Sequence, residues 1–150
     1  MRIDPAPAYV KDTGTARGRG VFAARAIKAG EIVETCPVVV VNKYVSDLPP
    51  EIGCIVYGWS YLTTRQVGTL SAIALGYGSL YNHDNPANMR YVADGALQVL
   101  RYIAVRDIAP NEELTVNYNA HGGGAEWNED KWFEDKQITP IVQGGGSGGT

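Results

Sequence analysis

The sequence predicts a mostly β domain: short strands gathered in several small sheets, with few and short helices. Two observations carry this. Runs such as "EIVETCPVVVV" (31–41) and "LQVLRYIAVRDI" (97–108) are β-branched or alternating, and no long helical pattern appears anywhere. Turn residues break the chain at short intervals, from "KDTGTARGRG" at the start to "AHGGGA" near the end. With 150 residues, 45% of them hydrophobic, one domain with a real core is the expectation.

Taken in order, "GVFAARAI" (20–27) and the run 31–41 read as strands bounded by glycine and charged turns. Pro37, inside the second, predicts an edge strand or a bulge, because proline cannot donate to a ladder. Residues 42–68, with Pro49-Pro50, Gly53 and Gly58, predict an irregular insert. "TLSAIALGYGSLY" (69–81) predicts a short helix capped by Thr69 or Ser71 and ended by Gly76 and Gly78. "NMRYVA" and 97–108 flank Asp94-Gly95, a hairpin signal, and "ELTVNY" (113–118) is a further short strand. Residues 119–137 read as a polar loop carrying Trp127, Trp132 and Phe133. The end, "QGGGSGGT", is low-complexity and flexible in expectation; the folded domain is assigned to 1–135 and the tail to 136–150.

Charge and cysteine usage narrow the function classes. A net charge of −3 argues against nucleic-acid binding, which calls for a basic face, and suits a basic partner. No apolar run approaches the roughly 18 residues of a membrane span, so no membrane association is expected. Cys36 and Cys54 sit in apolar stretches and are expected to be buried, reduced thiols, which with the absent leader points to the cytoplasm.

Three stretches carry chemistry. In "ARGRGVFA" (16–23) closely spaced glycines let backbone approach a ligand, and Arg17 and Arg19 can meet a carboxylate; taken alone, the stretch reads better as a turn with solvated arginines. "LYNHDNPAN" (80–88) places dense polar groups between stretches that look buried, so each group needs a protein partner or a ligand. A metal site of His83, Asp84 and His121 is disfavoured because no ligand spacing recurs. Nine tyrosines against two phenylalanines predict an aromatic channel with polar walls, of the kind that takes a lysine side chain, with Tyr118 of "NEELTVNYN" at its rim or in the core.

The ordered set "RGRGVFA…IKAGE", "GSLYNHDNPAN", "IAPNEELTVNY" resembles the SET domain of protein lysine methyltransferases, over residues 8 to 135 and most like the small single-domain viral and bacterial members. The resemblance implies a β-clip-like fold in which the Asn-His segment crosses beneath the "ELTVNY" strand as a knot at the active site. It implies S-adenosylmethionine as cofactor, held by Asn82 and His83, with Arg17, Gly18, Arg19 and Gly20 at its methionine end and Trp132 and Phe133 packed over the adenine. Tyr118 would be the catalytic tyrosine, and Tyr57, Tyr77 and Tyr81 would bind the substrate lysine. No metal is implied: two cysteines cannot build the zinc segments that flank many members. The substrate would be a lysine-bearing protein, histone-like or ribosomal, met in the cytoplasm or, for a viral protein, the host nucleus; a homodimer is left open. The sequence departs from the family where "NHDNPAN" replaces the usual "NHSCxPN", where Ser79 replaces an arginine, and where Asn117 replaces an aspartate. A catalytically idle SET-like binding module is the alternative, against which Asn82, His83 and Tyr118 all being kept argues.

Overall fold

The structure, a computed structural model, describes residues 1–127 and 129–141. Strands β1 (Ala8–Asp12) and β2 (Arg19–Ala23) form an antiparallel pair. The main sheet has five strands in the order β4-β5-β3-β8-β7: β3 (Ile32–Asn42), β4 (Val56–Tyr57), β5 (Leu70–Ala74), β7 (Met89–Asp94) and β8 (Val99–Ala104). A third, two-stranded sheet pairs β6 (Asn82–His83) with β9 (Thr115–Val116) in parallel. Short helices α1 (Pro50–Gly53), α2 (Trp59–Thr64) and α3 (Lys131–Lys136) complete it. Several small sheets with few short helices match the expected fold class, and β7 and β8 form the hairpin expected around Asp94-Gly95.

Three local expectations are corrected. Pro37 lies in neither an edge strand nor a bulge: β3 is central. Its first half, through Pro37, pairs with β8 and its second half, from Val38, with β5, so the missing N–H falls where pairing changes sides. Residues 70–74 are strand β5, not a helix. Pairing with Val38–Asn42 overrides the local glycine signal, and Ser71 donates its hydroxyl to the Lys43 carbonyl (2.7 Å) instead of capping. Residues 131–136 of the supposed loop are α3. Its start is capped across the chain by Asn119 Oδ1, which accepts from the Trp132 N–H at 3.1 Å.

The core forms where the main sheet meets β2 and the crossing strands: Val21, Ile27, Leu100, Tyr102, Met89, Ile108, Leu114 and Tyr81 are all at most 1% exposed. The insert 45–64 leans on this core through Trp59, its one buried large side chain. Cys36 is buried as expected, but Cys54 is exposed at the end of α1, its Sγ donating to the Pro50 carbonyl. Both thiols are free. No helix among the described residues is long and apolar enough to cross a membrane. Residues 142–150, and with them "QGGGSGGT", lie outside the described residues.

Candidate active site at the strand crossing

The dense polar stretch 82–88 is built into a strand crossing. β6 runs beside β9, and Asn88 clamps the two together: its Oδ1 accepts from the Thr115 N–H (2.8 Å) and its Nδ2 donates to the Glu113 carbonyl (2.7 Å). The Asp84 N–H donates to the Val116 carbonyl (3.1 Å), and Asn82 Nδ2 donates to Glu113 Oε1 (2.8 Å) and to the Arg19 carbonyl (2.9 Å). Arg17 closes the crossing from the other side. Its guanidinium pairs with Glu113 Oε2 at 2.6 Å, both side chains almost wholly buried, and donates to the His83 and Ile141 carbonyls. A Cβ at Gly20 would stand 2.3 Å from Glu113 Oε1, so only glycine lets β2 come this close.

His83 links the crossing to Tyr118. Its Nδ1 accepts the Tyr118 N–H (3.1 Å), which places the ring proton on Nε2. Burial, helped by the nearby Arg17 charge, lowers its pKa to about 4, so the ring is neutral at neutral pH. Phe133 meets the same ring edge-on at 4.5 Å, and Trp132 meets Tyr118 edge-on at 4.9 Å. The Tyr118 hydroxyl donates to the Tyr81 carbonyl at 2.7 Å. Burial raises the Tyr118 pKa to about 12, against a lowering by Arg17, so it is a phenol at neutral pH.

Beside Tyr118 opens a cavity of about 330 Å³ walled by Tyr57, Tyr61, Tyr81, Tyr91 and Trp132, with Ile55 and Cys54 on the insert side and His121 at the rim. Its tyrosines are tied to one another and to backbone. Tyr57 Oη donates to the Gly78 carbonyl (2.9 Å), Tyr102 Oη meets Tyr57 Oη (2.8 Å), and Tyr57 stands edge-on to Tyr91 at 5.2 Å. Burial holds the hydroxyls of Tyr57, Tyr81 and Tyr102 well above the ordinary phenol range, and that of Tyr91 at about 12. These are neutral hydroxyls and π-faces suited to an alkylammonium or amine with an apolar stem.

A family profile for the SET domain matches residues 18–119. A Schizosaccharomyces pombe protein named "Histone-lysine N-methyltransferase, H3 lysine-37 specific" is 31% identical over 137 residues, spanning 89% of this chain and 85% of its own length. The chain belongs to the SET-domain family. It is a protein-lysine methyltransferase by that kinship. A solved structure from Plasmodium falciparum, provisionally assigned as a histone methyltransferase, superposes with a TM-score of 0.61 at 25% identity, covering 78% of this chain and 96% of that one.

Within this SET domain the residues singled out in the sequence divide. His83, Tyr118, Trp132 and Phe133 come together, Asn82 stands beside His83 in β6 with its amide turned to Glu113 and Arg19, and Tyr57 and Tyr81 reach the cavity wall. Tyr77 does not: it is half-buried outside the lining, with its N–H donated to Glu34 Oε2. Arg17 faces inward to protein acceptors instead of outward to a ligand, and Asn82 has spent both amide hydrogens, leaving Oδ1 to offer. Gly18, half-buried in the turn before β2, has φ +74° and open space beside its α-carbon, and Arg19, the first residue of β2, is exposed. Among the described residues no three His, Cys, Asp or Glu side chains gather where they could hold a metal. Sequence reading missed Asn88, Glu113 and Asn119 as braces, and Tyr61, Tyr91 and His121 as cavity walls. The pairs Arg17–Glu113 and Asn88–Thr115 lie 96 and 27 residues apart, so no local pattern announces them.

Proposed function

We propose that this SET domain transfers a methyl group from S-adenosylmethionine to the ε-amine of a lysine in a histone or histone-like protein. The observation that carries the reading is the meeting of Tyr118 with a tyrosine-walled cavity on one side and the His83 crossing on the other. The histone as substrate class leans on the fission-yeast relative's name.

The residues present suit the cofactor. The Gly18 turn is open, Arg19 offers a positive charge for a carboxylate, Asn82 Oδ1 can accept from an ammonium, and Phe133 with Trp132 offers aromatic faces to a purine. When bound, S-adenosylmethionine supplies an electrophilic methyl group on a positively charged sulfur. The chain's own task is to present a neutral amine in line with it. A lysine with a pKa of about 10.4 costs about 4–5 kcal/mol to deprotonate at neutral pH. The apolar, tyrosine-lined cavity lowers that cost, because a desolvated ammonium loses its proton more readily. Tyr118 gives its own proton to the Tyr81 carbonyl, so its oxygen lone pairs are left to accept an N–H from the amine and aim the nitrogen. As a phenol with a pKa near 12 it orients the amine and is not the base at neutral pH.

The test is transfer from methyl-labelled S-adenosylmethionine to core histones and histone-like proteins, with mass spectrometry locating the label. Methyl-lysine is the expected product. Cofactor binding without transfer would mark an idle binding module, and absence of cofactor binding would end the reading.

A further inference from the structure

Beneath the cavity the molecule buries a carboxyl group that the reaction as derived does not use. Glu34, in β3, is 8% exposed, and no Lys or Arg among the described residues stands within ion-pair distance of it. An acid without a cation is costly to bury, so its oxygens must be met by other donors. Tyr81 Oη donates to Oε1 at 2.7 Å and the Tyr77 N–H to Oε2 at 3.1 Å. The Cys36 thiol adds a contact; burial first, and the carboxyl after it, keep that thiol protonated. Gly76 takes φ +67°, and a Cβ there would stand 2.6 Å from Oε2, so the turn 75–78 closes directly onto the acid.

We propose that Glu34 is a positioning residue for methyl transfer, acting on Tyr118 through Tyr81. The proposal rests on the methyltransferase reading of the Tyr118 site. Tyr81 is gripped at both ends: its hydroxyl by Glu34, and its carbonyl by the Tyr118 hydroxyl it accepts at 2.7 Å. That carbonyl fixes where the Tyr118 proton points, and hence which lone pairs face the cavity. The Tyr81 ring also backs Tyr102, 4.8 Å away, whose hydroxyl reaches Tyr57 in the cavity wall. Moving Tyr81 therefore moves both the orienting hydroxyl and the wall opposite it. A buried acid that merely filled space would need no route of this kind to the cavity.

Glu34→Gln keeps the shape but has one acceptor oxygen where two are used; with that oxygen on the Tyr77 N–H, its NH₂ donates to Tyr81 Oη, which reverses and weakens the charge-assisted bond that holds the ring. Tyr81→Phe cuts the same link from the other side by removing one hydroxyl. With saturating S-adenosylmethionine and histone substrate, both variants should lose roughly tenfold or more in single-turnover rate per folded molecule. A 3-fluorotyrosine installed at position 118 should show a shifted ¹⁹F resonance in both. Single-turnover rates within twofold of wild type and an unmoved resonance would overturn the proposal, whatever the melting temperatures do. If Glu34→Gln does not fold, Tyr81→Phe decides alone on the same criteria. A wild-type protein that transfers no methyl would sink the methyltransferase reading, while the ¹⁹F shift would still report whether Glu34 governs Tyr118.

Discussion

The strand crossing and the cavity beside it are built on opposite terms. At the crossing, Arg17, Asn82, His83, Asn88 and Glu113 share a dense network in which side chains and backbone of distant segments satisfy one another. The cavity's outer walls come from an insert of four- and six-residue helices and from α3, also six residues long. Ile55 is 40% exposed there, and Lys131 pairs with Asp135 only on the surface. The difference teaches a division of labour. The over-determined half is built to hold side chains in one arrangement, while the sparsely packed half has fewer contacts to lose on meeting a peptide. Tyr118 sits on the seam, its N–H on the rigid side and its ring on the open one.

The sharpest way to break that division is Tyr118→Phe. The ring stays, so its contacts with Trp132 and Phe133 and the cofactor affinity should persist, while the hydroxyl that aims the amine is gone. Single-turnover methylation should fall by a factor of ~10²–10⁴. A rate near wild type would make Tyr118 a packing residue and leave the seam without chemistry.

Glu113→Gln attacks the rigid half alone. It strands the Arg17 charge in a site where both side chains are nearly fully buried, a loss of about 3–5 kcal/mol of folding stability. Chemical denaturation measures this directly. A loss under about 1 kcal/mol would mean that the crossing is far less rigid than its hydrogen bonds imply.

Acid should loosen the crossing through His83. Its folded pKa of about 4 lies below the unfolded value near 6.5, so the neutral ring contributes its stability in full above about pH 6.5. That contribution drains as pH falls toward 4, on the order of 3 kcal/mol in all, because the unfolded chain takes up a proton that the folded ring refuses. His83→Asn offers an oxygen to the Tyr118 N–H and does not titrate there. Stability curves of the two proteins should therefore diverge between pH 6.5 and 4, and parallel curves would remove His83 from the account.

What was legible in the sequence follows the same division. The β7–β8 hairpin was readable because Asp94-Gly95 and its flanking runs signal locally. Tyr118, Asn82 and His83 were readable because ordered motifs carried them. Strand β5 was not, since its conformation is imposed by β3 some thirty residues earlier, and neither was the central place of Pro37, which depends on β3 serving two partners in turn. Glu34 reads in sequence as one charge in an apolar run. Its burial against Tyr81, 47 residues away, exists only once the sheet has formed.

The smallest expected effect sharpens the comparison from the open side. Trp132 is half-buried, lines the cavity, and meets both Tyr118 and Phe133 edge-on, at 4.9 and 4.8 Å. Trp132→Leu keeps an apolar side chain on α3 but removes the aromatic contacts, each worth about 0.5–1.5 kcal/mol beyond area burial. Because Asn119 caps α3 through the Trp132 backbone N–H, the helix start should survive the change. The crossing contains no atom of Trp132, so the loss of folding stability should stay within the sum of those two contacts, roughly 1–3 kcal/mol. The functional deficit should appear in KM, for histone peptide and S-adenosylmethionine alike, with kcat close to wild type, since the wall that meets the lysine stem and the face offered to the purine are altered and the hydroxyl that aims the amine is not. Steady-state kinetics on one histone peptide separates the two quantities. A collapse in kcat with unchanged KM would place Trp132 on the rigid side of the seam and move the boundary between the two halves out to α3.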